Sequence, residues 1–325
     1  MTKSSGWLLL ALFTFGLSAQ SAHAQWQSQK ESIMGTNIYA EVWSEDAALG
    51  KQALTSVMFE MERINQLMSP YIETSELSKL NSLAGASYVP VSQELYDLIK
   101  LSVGISQETD GAFDISFASV GFLYDYREAQ KPTNDKIDQL LSAINFNHIK
   151  FNEAQRSIFF SNPNVKIDLG GIAKGHAIDN AIAILKAQGI QHALVTAGGD
   201  TGLLGDRLGR PWMVGVRDPR NRDRKAVVLP LENTSMSTSG DYERYFEEDG
   251  TRYHHIIAPT TGKSVYEVQS VTIVGAKSTF NDALSTAVFV LGVQKGIDLI
   301  NRTPGYDAII VDNKRKLHYS KELVP

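Results

Sequence analysis

Cysteine is absent from all 325 residues. That excludes disulfides, thiolate metal ligands, a cysteine nucleophile and the acylated cysteine of a lipobox anchor. There is no excess of basic charge: 31 Lys and Arg against 36 Asp and Glu leave a net charge of −5. With no nucleic-acid footprint, no nucleic-acid partner is expected. Long apolar runs are scarce. One occupies residues 7–17, too short to span a bilayer, and no second one is evident beyond it, so no stable membrane insertion is expected. Repeats of fixed period and Ser/Gly or Pro linkers are also missing, and nothing divides the chain into independent units.

The apolar run follows Lys3, the only charged side chain of the first 24 residues, and precedes Ala22-His23-Ala24, with small residues at the two positions a signal peptidase reads. The pattern predicts a secretory signal over residues 1–24 and a soluble periplasmic domain over 25–325. A content of 43% apolar and 21% charged residues is that of a globular protein able to bury a substantial core.

Periodicity predicts a strand over 37–43 after the loop Met34-Gly35-Thr36, and an amphipathic helix over 46–67 ending at Ser69-Pro70. A helix capped by Ser92 runs to about 108, and Asp110-Gly111 is a turn. Residues 127–138, with Pro132, read as an excursion or a short helix start at the surface. Strands are expected at 193–196, 212–216, 227–231, 254–257 and 271–274, then a helix over 281–291 with Gly292 near its end, and a closing strand at 308–311. Strands come in consecutive groups rather than in βαβ alternation, which favours an α+β fold with a mixed or antiparallel sheet packed with helices.

Four clusters carry chemistry. In V-K-I-D-L-G-G-I-A-K-G at 165–175, Val165, Ile167 and Leu169 alternate as a half-buried strand, and Ala177, Ile178, Ala181, Ile182 and Leu185 follow at helical spacing. The glycines then sit in a strand-to-helix turn, where they permit positive φ and let backbone approach an anion at a helix N-terminus; a plain tight turn is the alternative. The run matches neither G-x-G-x-x-G nor a P-loop. Asp282, Ser285 and Thr286 share one helix face, hard oxygen chemistry suited to Mg²⁺, with helix capping as the alternative. Residues 237–244 and 252–257 gather hydroxyls, Arg244, Arg252, His254 and His255, suited to phosphate contact and proton transfer, or to a polar hairpin. Zinc at His254 and His255 is disfavoured because adjacent strand residues point to opposite faces. Tyr71, leaving a helix on a proline turn, is placed either to cover a flat heterocycle or to pack in the core.

In this order the segments resemble the ApbE family of FAD:protein FMN transferases. The resemblance runs from about residue 32 to 311, on M-G-T at Met34, M-S-x-Y-x-x-x-S-E-L at Met68, D-G-A-F-D at Asp110, I-D-L-G-G-I-A-K-G at Ile167, G-G-D at Gly198, T-S-G-D-Y-E-R at Thr238, R-Y-H-H-I-I at Arg252 and D-A-L-S-T-A at Asp282. It implies one T-fold-related catalytic unit that splits the pyrophosphate of FAD, transfers FMN through a phosphoester to a Thr or Ser of an acceptor flavoprotein, and releases AMP. The acceptors it implies are redox-pump subunits or secreted flavin-carrying reductases. Carried over by position, Mg²⁺ would be held by Asp282, Ser285, Thr286 and the carbonyl of Gly171. FAD would contact Met34, Tyr71, Ala112, Phe113, Asp114, Asp168, Lys174 and Ile256, with His255 and Asp282 catalytic. Three departures stand out. Ala258 replaces a frequent Asp, Ser285 stands where some relatives carry Asp, and the lipobox cysteine of many relatives is missing. A metal-dependent FAD pyrophosphatase and a non-catalytic periplasmic FAD-binding protein are the alternative functions.

Overall fold

The computed structural model describes residues 24–323; the expected signal segment, Ala24 apart, lies outside the described residues. Eight strands form one sheet: β1 (Gln25–Ile33), β2 (Thr36–Ser44), β3 (Ala193–Ala197), β4 (Asp200–Leu204), β5 (Ser235–Gly240), β6 (Val268–Gly275), β7 (Tyr306–Asp312) and β8 (Leu317–Tyr319). Their spatial order is their chain order, and every pairing is antiparallel. The α+β expectation therefore holds in its antiparallel form. The chain adds one strand, β8, beyond the expected closing strand.

Three helices cover one face: α1 (Ala47–Met68) over β1 and β2, α2 (Ala173–Ala187) over β3 and β4, and α3 (Ser278–Asn301) over β5 to β7. Alternation makes this possible. Ile38, Ala40, Val42, Val271, Ile273, Ala308 and Ile310 enter the main core, while Met236, Val274 and Ile309 point the other way. That second face is covered by the hairpin Trp212–Asp218/Asn221–Leu231, which contributes Val216. Asp46 caps α1 by accepting from Ala48 N at 2.8 Å and Leu49 N at 3.4 Å, and the helix stops before Ser69-Pro70 as its sequence predicts.

Helix α3 departs from expectation. It does not end at Gly292 but breaks there for one residue (φ 77°) and resumes, because Glu267 accepts from Val293 N at 2.8 Å and caps the second part. By length and composition α3 could cross a membrane, so a second long apolar run does exist. It is a core helix packed against the sheet on one side and α2 on another, which is why it is apolar on several sides.

Residues 165–169 are the other correction. Val165, Ile167 and Leu169 are buried as the alternation implies, yet the segment joins no sheet. The side chain of Asn81 takes the place of a neighbouring strand, donating to Ile167 O at 2.8 Å and accepting from Ile167 N at 2.8 Å. Asp168 N donates to Ile115 O, and Lys166 N to Ser119 Oγ. Every buried backbone group needs a partner, and here side chains supply some of them.

Candidate active site

A cavity of about 430 Å³ opens where the β1–β2 turn, the start of α2 and the first turns of α3 meet. Each of the eight sequence segments reaches its wall. Gly35 and Thr36, Tyr71, Ala112 to Asp114, Asp168 with Gly170, Gly171 and Lys174, Gly198 and Gly199, Thr238 to Gly240 with Arg244, His255 to Ile257, and Asp282 with Thr286 all line it. Segments scattered from residue 35 to residue 286 thus form one site.

One wall is a cluster of hard oxygens. Ser239 Oγ lies 2.7 Å from Ser285 Oγ and 3.3 Å from Thr286 Oγ1. Ser285 Oγ donates to Asp282 O at 2.9 Å, and a Cβ at Gly171 would lie 3.3 Å from Thr286 Oγ1. The Asp282 carboxylate accepts from Gly175 N at 3.1 Å and from Lys174 Nζ at 3.1 and 3.2 Å. Lys174 Nζ also donates to Gly170 O at 2.8 Å and lies 3.2 Å from Asp200 Oδ2. Burial works to lower the Lys174 pKa, but Asp200 and Asp282 outweigh it and raise it above its ordinary value. Burial, then the charge of Asp282, raises Asp200. The glycines of the turn act through close approach and not through positive φ: Gly170, Gly171 and Gly175 all avoid the left-handed region.

The two histidines divide as their adjacency requires, although the strand ends at His254 and not at residue 257. His254 is a core residue that bonds Val265 O through Nε2 at 2.6 Å. His255 faces the cavity with Nδ1 buried and unpartnered. Burial first, then the charges of Arg244, His254 and Lys174, push its pKa down to about 3, so the imidazole is neutral at neutral pH. Asp168 accepts from Gly170 N at 2.7 Å and is raised by burial. Asp114 is raised by burial too; it bonds Ser116 N, Ser116 Oγ and Phe146 N, which fixes the loop behind the wall.

Tyr71 is 74% exposed, which excludes core packing, and its ring meets Phe122 edge-on at 6.4 Å on the cavity wall. Ile256 is buried and lines the wall. Met34 does not line it: the residue takes φ 56° in the β1–β2 turn and packs against the core, leaving Gly35 and Thr36 to face the cavity. Ala258 is buried outside the wall, where its carbonyl accepts from Thr261 and Gly262. An Asp-to-Ala difference there alters a turn more directly than the cavity.

Sequence reasoning gave Ser239 and Arg244 a role only as members of the phosphate-contact cluster of residues 237–244, and gave none to Asp200, Tyr124 or Tyr126. The first three lie inside quoted segments, so a signal existed. The two tyrosines, stacked with centroids 5.8 Å apart, lie in none. Glu243 and Asp241 pair with Arg217 and with Arg220 and Arg252. The Arg244 guanidinium is left on the wall with no carboxylate partner among the described residues.

The model described as the ApbE family matches residues 34–310. This chain belongs to the ApbE family. A protein of Treponema pallidum (strain Nichols) named FAD:protein FMN transferase is 32% identical, over 98% of this chain and 93% of its own length. One of the same name from Klebsiella pneumoniae (strain 342) is 31% identical, over 88% and 89%. Among solved structures, the ApbE protein of Thermotoga maritima superposes with a TM-score of 0.85 at 33% identity, covering 92% of this chain and 98% of the other. The flavin transferase ApbE of Vibrio cholerae gives 0.81 at 26% identity, with the same coverage. The eight-stranded sheet and its three helices are thus an ApbE fold along nearly their whole length.

Proposed function

We propose that this ApbE-family chain transfers FMN from FAD to a Thr or Ser hydroxyl of an acceptor protein and releases AMP, with Mg²⁺ held at Asp282, Thr286, Ser285 and Gly171. The observation that carries this reading is the hard-oxygen cluster of Asp282, Ser285, Thr286 and Ser239 sharing one cavity with two cationic side chains, Lys174 and Arg244. Among the described residues no group of three His, Cys, Asp or Glu is placed to hold a metal. One carboxylate with hydroxyl and carbonyl oxygens suits Mg²⁺, which completes its shell with water and phosphate. When bound, Mg²⁺ offsets the charge that develops on the pyrophosphate.

The remaining roles belong to the chain itself. Arg244 and Lys174 present positive charge to the pyrophosphate, and the exposed ring of Tyr71 offers a face to a flat heterocycle. The acceptor oxygen bonds to the FMN phosphorus, the bond to AMP breaks, and His255 takes the hydroxyl proton. Burial depresses His255 most and the charges of Arg244, His254 and Lys174 add to it; the negative pyrophosphate would counter the Arg244 and Lys174 charges, making His255 a better base once FAD is bound. The acceptor is a redox-pump subunit or a secreted flavin-carrying reductase met in the periplasm. Strand β1 begins at Gln25, where a signal cleaved after Ala24 would leave the new N-terminus; a mass matching that terminus in exported protein tests this.

Incubation with FAD, Mg²⁺ and an acceptor flavoprotein should give a fluorescent acceptor band and an equal amount of AMP. AMP and free FMN without a labelled acceptor would make the chain a pyrophosphatase, and bound FAD without either product would make it a carrier. His255→Gln should lower kcat by about 10²- to 10⁴-fold and change FAD affinity little. Because the free imidazole is neutral above about pH 3, the wild-type kcat/KM should show no acid limb from His255 between pH 5 and 8. Equal losses of kcat and affinity would give His255 a binding role instead.

A further inference from the structure

We propose that the Lys174 ammonium occupies the cation position at Asp282 until FAD arrives, so that Mg²⁺ and FAD bind this chain cooperatively; the inference rests on the metal-dependent reading above. Lys174 Nζ sits against both Asp282 oxygens at 3.1 and 3.2 Å and against Gly170 O at 2.8 Å. A divalent ion using the Asp282 carboxylate meets this ammonium as a competitor. The oxygens it would share with that ion are already satisfied.

Asp200 gives Lys174 somewhere to go. It is the first residue of β4, its side chain is 2% exposed, and it is absent from the cavity wall, so it lies behind Lys174 as seen from the ligand. Its Oδ2 lies 3.2 Å from Nζ and makes no other hydrogen bond. A buried carboxylate with one cationic partner holds that partner strongly. When Lys174 releases Asp282 it remains paired with Asp200 and can turn its remaining protons to an incoming anion. The pyrophosphate would reward both movements, drawing the ammonium from Asp282 and adding negative charge to the vacated position. Metal and FAD then favour each other, and by linkage the effect is reciprocal.

The test is Mn²⁺ binding, read by loss of the free-ion electron paramagnetic resonance signal at pH 8, with and without FAD. The wild-type protein should bind Mn²⁺ weakly alone and about tenfold or more tightly with FAD. Lys174→Gln should bind Mn²⁺ tightly without FAD. The double variant Lys174→Gln/Asp200→Asn removes the charges of Lys174 and Asp200 together, so the net charge of the trio with Asp282 is unchanged while the Asp282 carboxylate keeps only the Gly175 N donor. If the ammonium competes for Asp282, this variant should bind Mn²⁺ alone about tenfold tighter than wild type, and FAD should add little. An FAD-free affinity equal to that of wild type would overturn the inference while leaving the metal site standing. No Mn²⁺ uptake by the wild-type protein even with FAD would overturn the metal-dependent reading, and this inference with it.

Discussion

Asp282→Ala should abolish FMN transfer, lowering the rate about a thousandfold or more, because the several kcal/mol a metal contributes to phosphoryl transfer pass through this carboxylate. Among the described residues Asp282 is the one carboxylate on the oxygen-cluster wall, and it is 3% exposed. Ser239, Ser285 and Thr286 supply only neutral oxygens, which hold a hard divalent cation poorly without a charged ligand. FAD binding should survive in part. Tyr71, Ile256, Phe113 and Arg244 line the cavity independently of Asp282, and removing the carboxylate frees Lys174 to meet the pyrophosphate. AMP release measured across a Mg²⁺ series, beside FAD affinity from fluorescence quenching, separates the two effects. Full activity of the variant at limiting Mg²⁺ would remove Asp282 from the metal site.

Much of this is legible in the sequence, because burial patterns are local. Leu95, Leu98, Ile99, Ser102 and Ile105 mark the inner face of Gln93–Glu108, whose Ser92 cap accepts from Leu95 N as expected. Other features depend on residues far away in the chain. The alternation of Val165, Ile167 and Leu169 reports burial correctly but cannot say that Asn81, 86 positions earlier, replaces a strand partner. Gly292 looks like a stop, and only Glu267, 26 positions before Val293, lets the helix resume. Among site residues, Asp282, Thr286 and His255 could be named because each lies in a segment whose chemistry is visible by itself. Arg244 stands out from its cluster when its acidic neighbours are seen to be paired elsewhere. Met34 shows the opposite error: the segment was right, but the turn sends its side chain to the core and gives the wall to the next two residues.

Gly175→Val should disrupt the fold strongly, and it should disable the site by the same displacement. A Cβ at Gly175 would lie 2.2 Å from Ser278 O and 2.9 Å from Thr279 Cα, both backbone atoms that no rotamer change can move. The contact lies where the beginnings of α2 and α3 cross, and the crossing is tied in place. Asp179 of α2 accepts from Ser278 N at 3.0 Å, from Thr279 N at 3.0 Å and from Thr279 Oγ1 at 2.6 Å, capping α3 from a neighbouring helix. The helices cannot part at Gly175 without straining that cap. Overpacking against a fixed backbone costs about 3 kcal/mol or more, near the top of the usual range, which in a protein of this size lowers Tm by about 5 °C or more. The site suffers because Gly175 N donates to Asp282 Oδ2 at 3.1 Å. Moving α2 away from α3 would break that bond and carry Lys174 away from the carboxylate as well. Melting curves with and without FAD plus Mg²⁺ should therefore show a lower Tm and a smaller ligand-induced rise than wild type. An unchanged Tm would mean that the crossing yields freely; a lowered Tm with a full ligand-induced rise would mean that Asp282 is positioned independently of Gly175.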